Sequence, residues 1–212
     1  IEVDTVGSIT AGIVVVENSI LHDNGGWAIW NSSDFGQLFV VNTTIVSNGN
    51  GFFSSGTGFL TNAIVAQNAG VGIGGSGLSI VYSNVWQNNP DYSRSPANGP
   101  GMLSVNPQFV DALSGNFHLL PSSLCIDSGT SENAPDHDFD GHLRPVDGDG
   151  LNGAEYDMGA FEAGSTVLVT CGDGTINGTE ECDDGNNAND DGCSTDFRIE
   201  TVGEVITEVT TE

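Results

Sequence analysis

The sequence predicts an all-β chain: a right-handed parallel β-helix, then a small disulfide-rich unit and a terminal extended strand. Three observations carry that expectation: a repeat of nearly constant period, an asparagine at one fixed place in every repeat, and a composition that disfavours helices. Four segments align, Asn18–Asn24 (NSILHDN), Asn42–Asn48 (NTTIVSN), Asn62–Asn68 (NAIVAQN) and Tyr82–Asn88 (YSNVWQN), with starts 24, 20 and 20 residues apart. Their last column reads Asn24, Asn48, Asn68 and Asn88; the first reads Asn18, Asn42, Asn62 and Tyr82. Between them runs an apolar column, Leu21, Ile45, Val65 and Val85, beside a column of small residues, Ser19, Thr43, Ala63 and Ser83. With 30 glycines among 212 residues and many Asn and Ser, the chain favours turns over helices.

A coil of this length cannot bury its apolar side alone, but a stack of such coils can. Stacked at about 4.8 Å per coil, equivalent residues lie over one another. The apolar column then becomes a core, and the asparagines a ladder of amides bonded rung to rung. Asparagine also tolerates the left-handed backbone that sharp turns between strands need. Coils are expected near residues 18–41, 42–61 and 62–81 and from 82–88 onward, with closing coils over 102–163, all within a domain spanning 1–165. An acidic cysteine-rich unit follows over 166–196.

Residues 197–212 form the expected terminal strand. Ile199, Val205 and Val209 lie on its odd face, while Val202 and Ile206 interrupt the charged even face, a period close to two. A solitary strand is unstable in water, so this one is expected to pair, either with an edge of its own solenoid or with another molecule. The chain opens on another alternating run, Ile1–Val6, at what reads as an uncapped coil. Head-to-tail pairing of the terminal strand with that end in a second copy would give a filament, because such a contact does not close on itself.

Three Lys+Arg against 29 Asp+Glu give a net charge of −26, with no lysine at all. That field repels nucleic acid and anionic lipid and attracts divalent cations. No apolar run approaches the roughly 18 residues of a membrane helix, so membrane insertion is not expected. The absent initiating Met reads as a processed product whose export signal is out of view. Cys125, Cys171, Cys182 and Cys193 are disulfide candidates, and disulfides in a short segment without a core point to an oxidising, extracellular or cell-surface compartment. Four cysteines allow three pairings, which the sequence leaves open.

Calcium is the cofactor expected from spacing. Asp136, Asp138 and Asp140 stand at alternate positions before Gly141, with Asp147 twelfth in the run. Asp147, Asp149 and Asp157 offer another ligand set. The cysteine-rich unit crowds further carboxylates, Asp173, Asp183, Asp184 and Asp191 among them, whose repulsion bound cations would relieve. For catalysis the regular coils offer little: Glu17, Asp23 and Asp34 are sparse, no lysine base exists, and no nucleophile-elbow motif occurs. A polysaccharide lyase or hydrolase is the least favoured reading. Trp27, Trp30, Phe35, Phe52, Phe53 and Trp86 are aromatics that could stack on polysaccharide or pack at solenoid corners.

Four blocks follow the regular repeats in order: Asn106–Asp111 (NPQFVD), Gly115–Gly129 (GNFHLLPSSLCIDSG), Asp138–Pro145 (DFDGHLRP) and Tyr156–Glu162 (YDMGAFE). With the repeats they resemble the closing coils of bacterial surface right-handed parallel β-helix proteins of the choice-of-anchor type. That resemblance implies a fold and a surface address, but no reaction. Residues 171–195 resemble the cysteine-rich repeat of myxobacterial exported proteins, CGDG…CDDGN…DGCS. Phe197 stands where that repeat has its fourth cysteine, so Cys125 substitutes for it or one thiol stays free. Together these readings favour a non-catalytic secreted or cell-surface structural protein, whose partners are copies of itself or other surface components. An adhesive, carbohydrate-binding module is the alternative.

Overall fold

The computed structural model describes residues 2–3, 12–31, 36–94, 97–151, 153–164, 182, 186 and 188. The chain divides into two compact units, Ile1–Ser165 and Thr166–Glu212. The first is a parallel β-solenoid of about four turns, without α-helix among the described residues.

After β1 (Glu2–Val3), each turn contributes one short strand to each of three sheets. The first turn holds β2 (Gly12–Glu17), β3 (Ile20–His22) and β4 (Trp27–Asn31); the second holds β5 (Gly36–Val41), β6 (Thr44–Val46) and β7 (Asn50–Ser54). The third holds β8 (Thr57–Thr61), β9 (Ile64–Ala66) and β10 (Ile73–Gly75); the fourth holds β11 (Leu78–Val81), β12 (Asn84–Trp86) and β13 (Tyr92–Ser93). A partial fifth turn follows, with β14 (Ala97–Asn98) on β11 and Leu103 bridged to Asn84. All pairings within the stack are parallel and in register with the repeat, as in Leu21↔Ile45↔Val65↔Val85. That column joins Ile29, Phe52 and Ile73 and Leu38, Leu60 and Ile80 in one core. Each such side chain fully removed from water contributes roughly 1.5–3 kcal/mol.

The asparagine column is a directional ladder. The backbone N and Nδ2 of Asn24 both donate to Asn48 Oδ1 (3.0 and 2.8 Å). Asn48 does the same to Asn68 Oδ1 (2.9 and 3.0 Å), and Asn68 to Asn88 Oδ1 (3.0 and 2.7 Å). At the fourth turn Asp91 replaces a fifth asparagine, accepting from Asn88 N and Nδ2 at 2.7 and 2.9 Å. The left-handed backbone falls on the first-column asparagines, Asn18, Asn42 and Asn62, with Tyr82, and on Asp23, Ser47, Gln67 and Gln87, each one residue before the ladder. The ladder asparagines themselves stay out of that region, because their task is amide stacking.

Asn68 is buried, so Asn68→Ala strands the backbone N donor of Asn48, while Asn48 Nδ2 keeps Leu21 O and Val46 O as acceptors. The expected cost is about 2–3 kcal/mol in urea unfolding. Asn24→Ala, at the exposed end of the ladder, should cost less than about 1 kcal/mol.

Beyond Val105 the chain leaves the stack, so most of the segment expected as closing coils does not coil. It forms an antiparallel hairpin of β15 (Phe109–Asp111) and β16 (Asn116–Leu119) around a 3-10 turn, Ala112–Ser114. The segment then runs back over the outer face of the sheet made by β3, β6, β9 and β12. Phe117, Ala160 and Phe161 pack on Val46, while Cys125 and Met158 pack on Ile64 and Ala66. This lateral layer explains why β6 and β9 are buried along their whole length, as strands covered on both faces must be. The first-column asparagines hold it. Asn18 Nδ2 donates to His137 O, Asn42 Nδ2 to Asp157 O (3.0 Å) and Asn62 Nδ2 to Thr130 O (2.8 Å). At Gly159 (φ +97°) an added Cβ would lie 2.8 Å from Ile64 Cδ1 and 2.9 Å from Thr44 Oγ1, so only glycine lets the layer approach this closely.

Candidate functional site

The late sequence blocks converge within the lateral layer. Arg144 and Glu162 form a fully buried ion pair, Nη1 to Oε2 at 2.9 Å. Arg144 Nη2 also donates to Gly159 O at 3.1 Å. Glu162 accepts from Val146 N at Oε1 (2.9 Å) and from Asp157 N at Oε2 (3.2 Å). Asp157, fully buried, accepts from Asp127 N (2.8 Å) and Ala163 N (2.6 Å). Burial, with Glu162 nearby, pushes its carboxyl up to about 8. Glu162 is also raised, because its burial outweighs the attraction of Arg144.

Asp138 is buried and accepts from Asp140 N, His142 N and Glu162 N at 2.9, 2.8 and 3.0 Å. Arg144, Asp138, Asp157 and Glu162 therefore form one electrostatic node that ties two of the blocks together. Each of its carboxylates is committed to backbone N–H groups.

The expected calcium set is not assembled. Asp138 is consumed by the amides of its own turn and by Glu162 N. Asp136 bonds His137 Nδ1 (2.8 Å), which holds its carboxyl below the usual range. Asp140 bonds His118 Nε2 (2.7 Å), and Asp147 accepts from Gly150 N (2.7 Å). Asp157, in the second expected set, faces inward. The carboxylates that do meet are Asp127, Asp147 and Asp149, each with one oxygen within 4.8 Å of the others. Asp127 belongs to the Gly115–Gly129 block but was not among the expected ligands; it lies 20 residues before Asp147. Its carboxyl is raised by partial burial and accepts from Gly148 N (3.0 Å) and Asp149 N (2.8 Å). Exposed acidic turns of this kind are common without an ion, and the trio alone does not make a metal centre.

All four histidines contact an aspartate: His22 with Asp23, His118 with Asp140, His137 with Asp136 and His142 with Asp138. His118 also stacks on Phe161 with ring centroids 3.8 Å apart. Together with His142, Pro121 and Ile126, these two line a cavity of about 330 Å³. No hydroxyl or thiol nucleophile stands among its lining residues.

Cys125 is a free, fully buried thiol, so of the two alternatives it does not substitute for the missing fourth cysteine. Its surroundings are Ile64, Ala66 and Met158, and burial pushes the thiol up to about 12, where it stays protonated and unreactive. Cys182 is not a free thiol, but Cys171 and Cys193 lie outside the described residues, so no pairing is assigned in that unit. Asp173, Asp183, Asp184 and Asp191, and Ile199, Val205, Ile206 and Val209 of the terminal strand, also lie outside them.

Of the aromatics, Phe52 is wholly inside the core, Trp86 packs at the edge of the lateral layer, and Phe35 lies outside the described residues. Trp27, Trp30 and Phe53 meet on the outer face of the sheet made by β1, β4, β7, β10 and β13.

No curated protein and no solved structure matches the chain. Residues 165–195, which contain the whole CGDG…CDDGN…DGCS stretch, match a family model described as a domain of unknown function (DUF4215).

Proposed function

We propose that the chain is a non-catalytic structural protein of the bacterial exterior, secreted or held at the cell surface, that assembles with copies of itself head to tail. The observation that carries the non-catalytic reading is the fate of the acidic groups. Asp138, Asp157 and Glu162, the carboxylates of the most motif-rich part of the sequence, are buried and bonded to backbone amides. They hold the lateral layer on the stack, so these three carboxylates are not available for polysaccharide cleavage. The charge of −26 suits a particle that stays dispersed outside the cell.

Assembly is argued from strand chemistry. Residues 197–212 alternate as a strand, and a stack of parallel strands presents unpaired backbone at its ends. At the fourth turn Asp91 already closes the asparagine ladder.

Electron microscopy of the natively isolated protein, with and without EDTA, tests the proposal. Filaments of uniform width are expected, and their collapse in EDTA would make bound calcium structural. Discrete particles under both conditions would reject assembly. Deleting residues 199–212 should leave soluble monomers; filaments persisting in that variant would reject the terminal strand as the joint.

A further inference from the structure

Six asparagines stand directly before glycine: Asn24, Asn48, Asn50, Asn98, Asn152 and Asn177. In that pair asparagine is least hindered from reacting with its own backbone, because glycine sets no side chain beside the attacking nitrogen. Asn152 and Asn177 lie outside the described residues. The other four lie in the solenoid, and Asn24 and Asn48 belong to the ladder itself.

The stack treats those four pairs differently. Gly49 N donates to Asn24 O at 2.7 Å, Gly51 N to Val71 O at 2.9 Å and Gly99 N to Ile80 O at 2.7 Å. Each nitrogen is thereby pinned to a neighbouring turn. The space around them is closed as well: a Cβ added at Gly49, Gly51 or Gly99 would collide with Gly25 O, Gly72 O or Val81 Cγ1. Gly25 is the exception. Its N meets no acceptor among the described residues, and nothing lies within 4 Å of a Cβ placed there or at Gly26. Asn24 is exposed, whereas Asn48 is buried with its Nδ2 held by Leu21 O, Val46 O and Asn68 Oδ1. Asn24 Nδ2 reaches only Asn48 Oδ1 and His22 O. At the exposed end of the ladder that rung is cheaply released, as the small effect expected of Asn24→Ala expresses.

We infer that Asn24 is a modification site, at which the chain converts itself to isoaspartate. Gly25 N gives its proton to water and attacks Asn24 Cγ; the Cγ–Nδ2 bond breaks and Nδ2 leaves as ammonia. The five-membered succinimide so formed takes up one water. Opening at the main-chain carbonyl of residue 24 gives isoaspartate, with the chain running through Cγ, and opening at Cγ gives aspartate. Water is the sole co-reactant. Either product carries a new carboxylate, taking the net charge from −26 to −27. It also removes the Nδ2 donor and sets carboxylate oxygens against Asn48 Oδ1, acceptor against acceptor. The first rung therefore opens with time, while the second, from Asn48 to Asn68, stays locked behind it.

The test uses the full chain, folded, in mildly alkaline buffer at physiological temperature, beside a sample unfolded in guanidinium chloride. Peptide mapping by mass spectrometry follows the exchange of NH2 for OH at each asparagine, and chromatography separates the two isomeric products. In the folded protein Asn24 should convert about tenfold faster than Asn48, Asn50 or Asn98, with isoaspartate the larger product. In the unfolded sample the four rates should converge, since the turns that pin Gly49, Gly51 and Gly99 are gone. Gly25→Ala fits the open space at that position and should slow Asn24 about tenfold in the folded state. An Asn24 that stays intact in the folded chain overturns the inference, as does Asn48, Asn50 or Asn98 keeping pace with it. Aspartate as the sole product, or wild-type conversion in folded Gly25→Ala, overturns the succinimide route and the inference with it.

Discussion

Replacing Glu162 by alanine is expected to release the lateral layer from the solenoid at a cost of about 3–5 kcal/mol. The truncation removes the carboxylate that Arg144 Nη1 bonds directly and the acceptors of Val146 N and Asp157 N, all of them buried. A buried pair broken from one side costs far more than the pair contributes when intact, because the remaining charge has no water to return to. Cys125 reports the outcome directly. It lies between the layer and the outer face of β9, so a thiol-specific reagent should modify it slowly in the native protein and rapidly in Glu162→Ala. Urea unfolding supplies the magnitude. Wild-type reactivity at Cys125 together with a loss below about 1 kcal/mol would mean that the layer is held by its apolar contacts alone.

Raising the pH from 5 to 8 should destabilise the solenoid unit by about 4 kcal/mol through Asp157 alone. The buried node sets one guanidinium against Asp138, Asp157 and Glu162, a sum of 1 − 3 = −2 if all are ionised. A proton on Asp157 relieves part of that repulsion. Its folded carboxyl titrates near 8 against an ordinary 3.8, so between these values the folded state holds a proton that the unfolded state has lost. The resulting stabilisation is fully present below about pH 3.8 and is lost as pH rises through 8, at about 1.4 kcal/mol per unit. Glu162, also raised, acts in the same direction. Thermal melts across this range should therefore fall with pH. Asp157→Asn should flatten the slope whatever its own offset in stability; an unchanged slope would place the proton elsewhere.

The stack was legible because its information is local and periodic. Asn24, Asn48, Asn68 and Asn88 recur at a near-constant interval, and a column can be read without knowing what lies beside it. The lateral layer was not legible, because its anchors join residues 119, 115 and 68 positions apart and nothing repeats between them. One signal for it existed. Ile64 and Ala66 flank the inward Val65, and a strand apolar on both faces asks for a second cover. The first expected calcium set, Asp136, Asp138, Asp140 and Asp147, does not come together for a related reason. The spacing of Asp136, Asp138 and Asp140 is equally the spacing of a turn that folds its carboxylate onto its own amides, and only burial separates the two. Cys125 belongs with the blocks that form the layer, so its partner is a hydrophobic wall rather than another sulfur.

Asn18, Asn42 and Asn62 fasten one continuous segment to three successive turns, and this changes how the solenoid unit should respond to force. A bare stack of turns touches only nearest neighbours and peels from its end, turn by turn, at a low and even tension. A strap across three turns forbids that route, since the first turn cannot leave until the strap does. Pulled along its length, the unit should hold without yielding and then give way in a single event.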